Sequence, residues 1–369
     1  GVGAFLMSEF LGVPYWDVVT RGFALAFIYY SSLAFAVYLI CVRLLPRDPI
    51  VAPGVSAYEQ IKTSIFFLGV VFLMAMMGAI GMGELLAALY TTAFMFVLLL
   101  LNFLYFKFLL KDPAAAQETF LGNVRLSIET HADMTSYLTL LLATLGIMIG
   151  LFTVTGFINR MGGMLLELGS WNIMAMIGMS FIFGWLVGMG LPPTATYIIG
   201  AVVIVAPMVK LGVNPWVAHF FVFLLSVWGE LSPPTSLTAA ISAKIAEANF
   251  MKTMWEALRI CLPITLMTFA IFSRSEIVVH PGWTQIGSTL VVTVGTFGTA
   301  LAMFGRLMEN KAGDFLLRTV LMVVAFVALF HPDDTVSAIT AAFVLVAIVF
   351  GVMRHRRIGP KELRAQPAG

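Results

Sequence analysis

Long stretches of apolar residues follow one another along the chain, separated by short polar segments. Most of them approach or exceed the ~20 residues with which a helix crosses the ~30 Å hydrocarbon core of a bilayer. Short alternating segments, typical of outer-membrane strands, are missing from this pattern. The pattern predicts an all-α polytopic membrane protein. The apolar stretches are residues 23–45, 64–80, 85–110, 134–155, 171–187, 197–209, 257–272, 286–304, 315–330 and 336–353.

Two polar interruptions, about 40 residues apart, lie inside this apolar sequence: GMGLPPTATY at residues 188–197 and WGELSPPTS at residues 228–236. Backbone that leaves the helix at bilayer depth exposes N–H and C=O groups, which cost free energy unless protein, water or an ion satisfies them. Paired interruptions of this kind are the best indication from sequence of a transport site near the membrane midplane.

The first interruption combines a helix break with oxygen ligands. Gly188 and Gly190 permit unusual backbone angles, and the pair at 192–193 prevents the helix from continuing. The carbonyl of Gly190 and the hydroxyls of Thr194 and Thr196 are hard oxygen donors suited to an alkali cation. A second half-helix is predicted to begin near Thr194, so its positive end would favour an anion beside that cation.

The second interruption repeats the pattern, with Gly229 before a Pro-Pro pair and with Ser232, Thr235 and Ser236 around it. We therefore predict that both interruptions line an ion and substrate site. The sodium candidates are Gly190, Thr194, Thr196, Ser232 and Thr235; Gly188, Gly229, Glu230 and Ser236 complete the predicted site.

Glu230 is the only acidic residue between Glu167 and Glu247. An ionisable side chain at membrane depth is functional by default. Three interpretations stay open: the carboxylate caps backbone N–H groups, contacts the cation directly, or couples transport to protons.

The composition agrees with a membrane protein, since 60% of the residues are hydrophobic and only 11% are charged. We treat the first interruption as a break within one crossing and residues 216–241 as a hairpin that enters and leaves on one face. With this topology 18 of the 21 Lys and Arg residues, Lys210 among them, lie on one side, and only Arg21, Arg160 and Arg274 lie opposite. The asymmetry predicts a cytoplasmic C-terminus.

Three regions are predicted along the chain. Residues 1–135 hold the end of a first repeat and connecting helices, residues 136–272 hold the transport region, and residues 273–369 hold accessory helices with a basic tail. Residues 157–169 are amphipathic and predict an interfacial linker. Phosphate-loop, HExxH, CxxC and GxSxG motifs are missing from the sequence, so we predict neither an enzyme nor a bound cofactor.

The segments GMGLPPTATY, LGVNPWVAHFFVFLLSVWGELSPPTSL and EANFMKTMWEALRICLP resemble the large permease subunit of tripartite ATP-independent periplasmic (TRAP) transporters. The likeness is strongest to fused permeases that work with TAXI-type receptors, and it is specific over residues 136–272. GAFLMSEFLGVPY, near the first residue, resembles the stretch that follows the first hairpin loop of such permeases. The resemblance therefore implies a C-terminal part of a longer permease, with the first repeat truncated.

The resemblance implies an elevator-type fold with inverted repeats, each holding a re-entrant hairpin and a broken helix. It implies sodium-driven uptake of a small organic anion delivered by a periplasmic TAXI-type binding protein, with a missing N-terminal half or small membrane subunit as partner. The implied location is the inner membrane of a bacterium or archaeon, in contact with the lipid bilayer, and no nucleic acid is expected. Glu230 departs from the usually uncharged position in this family.

Other functions stay open at this point. A non-transporting membrane scaffold would keep the interruptions as structural features only, and a transporter could use protons instead of sodium. A channel with a re-entrant filter would conduct ions without a receptor. The sequence alone does not name the substrate.

Overall fold

A computed structural model describes residues 2–44, 56–189, 191–232 and 236–363. Its helices are α1 (Val2–Leu11), α2 (Tyr15–Leu44), α3 (Ala57–Gly78), α4 (Glu84–Leu104), α5 (Pro113–Gln117), α6 (Phe120–Val154), α7 (Phe157–Trp171), α8 (Ile173–Gly188), α9 (Pro193–Gly200), α10 (Ala206–Lys210), α11 (Pro215–Glu230), α12 (Leu237–Ile245), α13 (Phe250–Ser273), α14 (Glu276–Val279), α15 (Trp283–Phe304), α16 (Lys311–Phe330) and α17 (Asp334–Leu363). Single π-helical turns, Tyr105–Leu109 and Ala201–Val205, follow α4 and α9.

Eight helices of the described part are long and apolar enough to cross a membrane, which confirms the polytopic all-α prediction. The chain forms two compact units by internal contacts. The main unit comprises residues 1–47 and 147–369, and the inserted unit comprises residues 48–146. These units describe compactness and not function, so the predicted division at residues 135 and 272 stays a prediction.

The predicted amphipathic linker is α7, which bends away from the end of α6 by 71°. Gly169 near its C-terminus packs against the start of α8 and the residue that follows α10. A Cβ atom on Gly169 would lie 2.8 Å from Sδ of Met176 and 2.3 Å from Cδ1 of Leu211. Both ends of the segment from α8 to α10 therefore lie on the same side. This segment is a re-entrant hairpin with its turn at the first interruption.

The second interruption divides a crossing helix. Phe221 of α11 packs against Phe272 near the end of α13, with ring centroids 5.0 Å apart. Further along, Leu231 shares a small cavity with Cys261 near the middle of α13. Helix α12 also packs against α13. It lies just before the turn that leads to Phe250, the first residue of α13. Together α11 and α12 follow α13 along its whole length.

The predicted topology of the two interruptions is therefore wrong: the first is a hairpin turn and the second is the break in a crossing. Trp216 shows the same correction, because its ring lies 4.0 Å from the guanidinium of Arg21, on the side predicted to be periplasmic. Assigning the hairpin to the first motif and the break to the second leaves the number of membrane crossings unchanged. Only Lys210 moves to the opposite side, which is why the charge distribution did not reveal the error.

Helices α15, α16 and α17 pack together, and α15 and α17 also pack against α2. Ser32 of α2 and Thr296 of α15 are hydrogen-bonded through their hydroxyls at 2.8 Å, and both are buried. At one end, the buried Arg274 after α13 donates to the His331 carbonyl at 2.6 Å and to the side chains of Asp334 and Ser337. The C-terminal helices are therefore anchored to the earlier helices of the main unit at one end and near the middle of α15.

In the inserted unit, Glu118 holds together the ends of α3 and α6. Its carboxylate accepts hydrogen bonds from Tyr58 Oη at 2.7 Å, Lys62 Nζ at 2.7 Å and Asn123 Nδ2 at 2.8 Å. Burial alone would raise the pKa of this carboxyl, but the three hydrogen bonds and the charge of Lys62 outweigh it and lower the pKa below 4.5.

We expect Glu118 to make the inserted unit sensitive to acid. A carboxyl whose pKa is lowered by folding contributes stability above its unfolded pKa and loses it as pH falls through the lower folded value. Thermal unfolding between pH 6 and pH 3 should therefore show a loss of stability below about pH 4.5 that Glu118→Gln reduces. Glu129→Gln, in an exposed pair with Arg125, is the control. Equal acid sensitivity of Glu118→Gln and the wild type would contradict this assignment.

Candidate functional site

The hairpin turn and the helix break meet at two glycines. A Cβ atom built on either Gly188 or Gly229 would lie 2.7 Å from Cα of the other residue. One turn earlier along α8, a Cβ atom on Gly184 would lie 2.2 Å from a methyl carbon of Leu225. Small residues at this spacing allow α8 and α11 to approach at backbone distance. The GxxxG pair of α8 thus brings the two interruptions together.

Four helix ends converge around this contact. Helix α8 ends at Gly188 and α11 ends one residue after Gly229, while α9 begins at Pro193 and α12 at Leu237. The methyl carbon Cγ2 of Thr196, in the first turn of α9, lies 3.4 Å from the position that a Cβ atom on Gly188 would take. Helix C-termini present free carbonyls and N-termini present free N–H groups with partial positive charge. The site can therefore bind a cation and an anion close together.

Three of the predicted hydroxyls are buried here. Thr196 donates to the Pro192 carbonyl at 3.3 Å, and Ser232 donates to the Trp228 carbonyl at 3.3 Å. Ser236 accepts from the N–H of Ala239 at 3.1 Å and so caps α12. A hydroxyl that donates its proton to a carbonyl keeps lone pairs for a further partner. Thr196 therefore retains its oxygen lone pairs for a cation, and Ser232 retains the one that does not accept from Trp185.

Glu230, half-buried at the end of α11, reaches across the break to the start of α12. Its Oε1 accepts from the N–H of Thr238 at 3.2 Å, and its Oε2 accepts from the Thr238 hydroxyl at 3.1 Å. This is the contact that the capping interpretation predicts, and a carboxylate is favourable at a helix N-terminus. The two halves of the broken helix are joined through this side chain.

Two further side chains complete the site and were not predicted from the sequence. The indole N–H of Trp185 in α8 donates to the hydroxyl of Ser232, which links the hairpin to the break. The second is Thr238, whose N–H and hydroxyl donate to the Glu230 carboxylate. A tryptophan one turn before a hairpin tip carries no sequence signal for such a bond. His219 of α11 is hydrogen-bonded to the hydroxyl of Tyr197 in α9 at 2.9 Å.

The structure thus brings together Gly188, Thr196, Gly229, Glu230, Ser232 and Ser236, with Thr194 half-buried in the first turn of α9. Gly190 and Thr235, two of the sodium candidates, lie outside the described residues. The roles of all these residues toward an ion or substrate stay predictions.

Comparison with known protein families identifies the family of this chain. Residues 1–277 match the family described as tripartite ATP-independent periplasmic transporter, DctM component. The chain belongs to this family. The matched region includes the hairpin, the broken helix and α13, and it ends before the three C-terminal helices. Neither the search of curated proteins nor the search of solved structures gave a significant match.

As a TRAP permease component, the chain is a multi-pass protein of the inner membrane and part of a transporter. Membership implies association with a periplasmic solute-binding protein and a small membrane subunit. The family is one of transporter components and not of enzymes. The convergence of hairpin and broken helix lies inside the matched region, where a transport site is expected.

Proposed function

We propose that this permease component takes part in sodium-coupled uptake of small organic acids delivered by a TAXI-type binding protein. The observation that carries the proposal is the backbone contact of Gly188 with Gly229, which places four helix ends and three buried hydroxyls around one point. Carbonyl-rich helix ends favour sodium, and helix N-termini favour the carboxylate of an organic acid. The TAXI receptor and the acid substrate are inferred from the resemblance of the site segments.

The coupling ion can be tested without knowing the substrate. Thermal unfolding of the full chain in detergent would be followed while sodium replaces potassium at constant ionic strength. We expect a saturable, sodium-selective rise, equivalent to about 1.4 kcal/mol when sodium is tenfold above its Kd. Thr196→Val removes one oxygen at nearly constant volume and should abolish most of this selective rise.

Thr319→Val is the matched control, because the Thr319 hydroxyl makes the same i−4 bond to a carbonyl but lies on an exposed face of α16. This control should shift the melting temperature equally in both salts and leave sodium selectivity intact. A well-folded wild type without sodium selectivity would overturn sodium coupling and favour proton coupling or the scaffold function. Uptake of a labelled organic acid driven by a proton gradient without sodium, with the binding protein present, separates these two, because only a proton-coupled transporter would show it.

A further inference from the structure

A cavity of about 540 Å³ lies inside the inserted unit, between α3, α4 and α6. Its two walls differ in chemistry. The wall from α4 is apolar except for Asn102, whereas the wall from α6 mixes polar and apolar side chains. The apolar wall is formed by Phe96, Leu99, Leu100 and Phe103. The wall from α6, called the polar wall, carries Asn123, Ser127, Thr130 and His131 among Phe120, Val124, Leu126 and Met134. Such a cavity suits a molecule that is itself amphipathic.

Asn102 supplies the strongest indication of a ligand. This residue lines the cavity, is only 7% exposed, and has no hydrogen-bond partner for either Oδ1 or Nδ2. A buried amide without partners is costly, and native proteins almost always satisfy such groups. The amide offers two N–H donors and one carbonyl acceptor. A ligand with an accessible oxygen acceptor at this point would remove the cost.

The position of Asn102 along α4 indicates the depth of the cavity in the membrane. The candidate span ends at Leu109, so Asn102 lies about 10 Å inside that end at a rise of 1.5 Å per residue. Lys62 lies near the start of the span formed by α3 and also lines the cavity. The cavity therefore extends from the headgroup level into the acyl-chain region of one leaflet.

We propose that this cavity binds one phospholipid molecule of the surrounding bilayer. An acyl chain packs along the apolar wall, an ester carbonyl accepts from Nδ2 of Asn102, and the headgroup lies at the polar wall, at the membrane depth that Lys62 marks. A soluble organic acid fits less well, because Lys62 is already paired with Glu118 at 2.7 Å and the remaining surface is largely apolar. The ligand is thus held by burial and by neutral hydrogen bonds.

The test measures phospholipid retained by the full chain after purification in mild detergent. Native mass spectrometry should detect one phospholipid per wild-type chain. Asn102→Leu removes the hydrogen-bonding amide and should lower retention about fivefold, as the loss of a neutral hydrogen bond predicts. Thr92→Leu, a polar-to-leucine change at an exposed position of α4 outside the cavity, should retain lipid like the wild type.

A second measurement compares stability with and without lipid. Dioleoyl phosphatidylethanolamine added to delipidated protein should raise the melting temperature of the wild type and of Thr92→Leu but not of Asn102→Leu. Ser127→Trp fills the cavity from its exposed wall and should also lose the lipid, which keeps the test decisive if Asn102→Leu does not fold. Retention unchanged in both cavity variants would overturn the proposal. So would a rise in melting temperature with succinate alone that Asn102→Leu abolishes, because that result would place an organic acid and not a lipid in this cavity.

Discussion

Replacing Gly188 by alanine is expected to abolish uptake and to lower the free energy of unfolding by about 2 kcal/mol. The new Cβ atom would lie 2.7 Å from Cα and 3.2 Å from the carbonyl carbon of Gly229. Both obstacles are backbone atoms, so side-chain rotation cannot relieve the overlap and the hairpin must separate from the broken helix. Uptake would be measured in proteoliposomes with the periplasmic binding protein and the small subunit present.

Gly178→Ala is the matched control, since it makes the same change on the same helix with no heavy atom within 4 Å of the added carbon apart from the local backbone of α8. This variant should transport normally and be slightly more stable, because alanine is favoured over glycine in a helix. Gly229→Ala should reproduce the Gly188 defect, because the contact is mutual. Normal uptake by Gly188→Ala would show that the two interruptions are separate in the transporting protein.

The sequence singled out the two interruptions that meet in the structure, but assigned them to the wrong topologies. Both interruptions share a Gly, Pro-Pro and Ser/Thr pattern, so local chemistry predicts a break at each and does not say whether the chain turns back. The decision depends on α7, whose Gly169 packs against Met176 and Leu211 and so holds both ends of the hairpin on one side. A contact of this kind between three segments has no signature in any one of them.

The sequence indicates some residues of the candidate site, but it does not indicate their hydrogen-bond partners. Buried hydroxyls at membrane depth are informative, because they must find a partner, and Thr196, Ser232 and Ser236 are all buried. The bond from Trp185 to Ser232 was not predictable, since an indole in an apolar helix usually serves packing. Glu230 was singled out by its charge, whereas its partner Thr238 depends on where α12 begins.

The C-terminal helices lie outside the matched family region and are anchored by a buried carboxylate. Oδ1 of Asp314, in the first turn of α16, accepts from the N–H of Leu307 at 2.6 Å and of Met308 at 2.9 Å. Arg318, 3.5 Å from the same carboxylate, donates to the carbonyls of Ala302 and Met303 at the end of α15, both at 2.6 Å. Asp314 and Arg318 thus join α16 to the end of α15 and to the loop between them.

Asp314→Ala is therefore expected to lower the free energy of unfolding by about 3 kcal/mol, because two backbone N–H groups would lose their acceptor. Asp314→Asn keeps an acceptor oxygen at the same place and should retain more than half of that stability. Chemical unfolding in detergent would give the difference, and amide hydrogen exchange at Leu307 and Met308 would show whether the loop opens first.

Glu256→Ala is the control for loss of an acidic group, since Glu256 forms only an exposed pair with Arg259 at 3.5 Å. Its effect should stay below about 0.5 kcal/mol, as for surface ion pairs in general. If Asp314→Ala were no more destabilising than Glu256→Ala, the carboxylate would not be what holds the loop. If Asp314→Asn were as damaging as alanine, the charge opposite Arg318 would be the stabilising feature instead of the two backbone hydrogen bonds. The predicted order, with asparagine between wild type and alanine, follows only if hydrogen bonding at Oδ1 dominates.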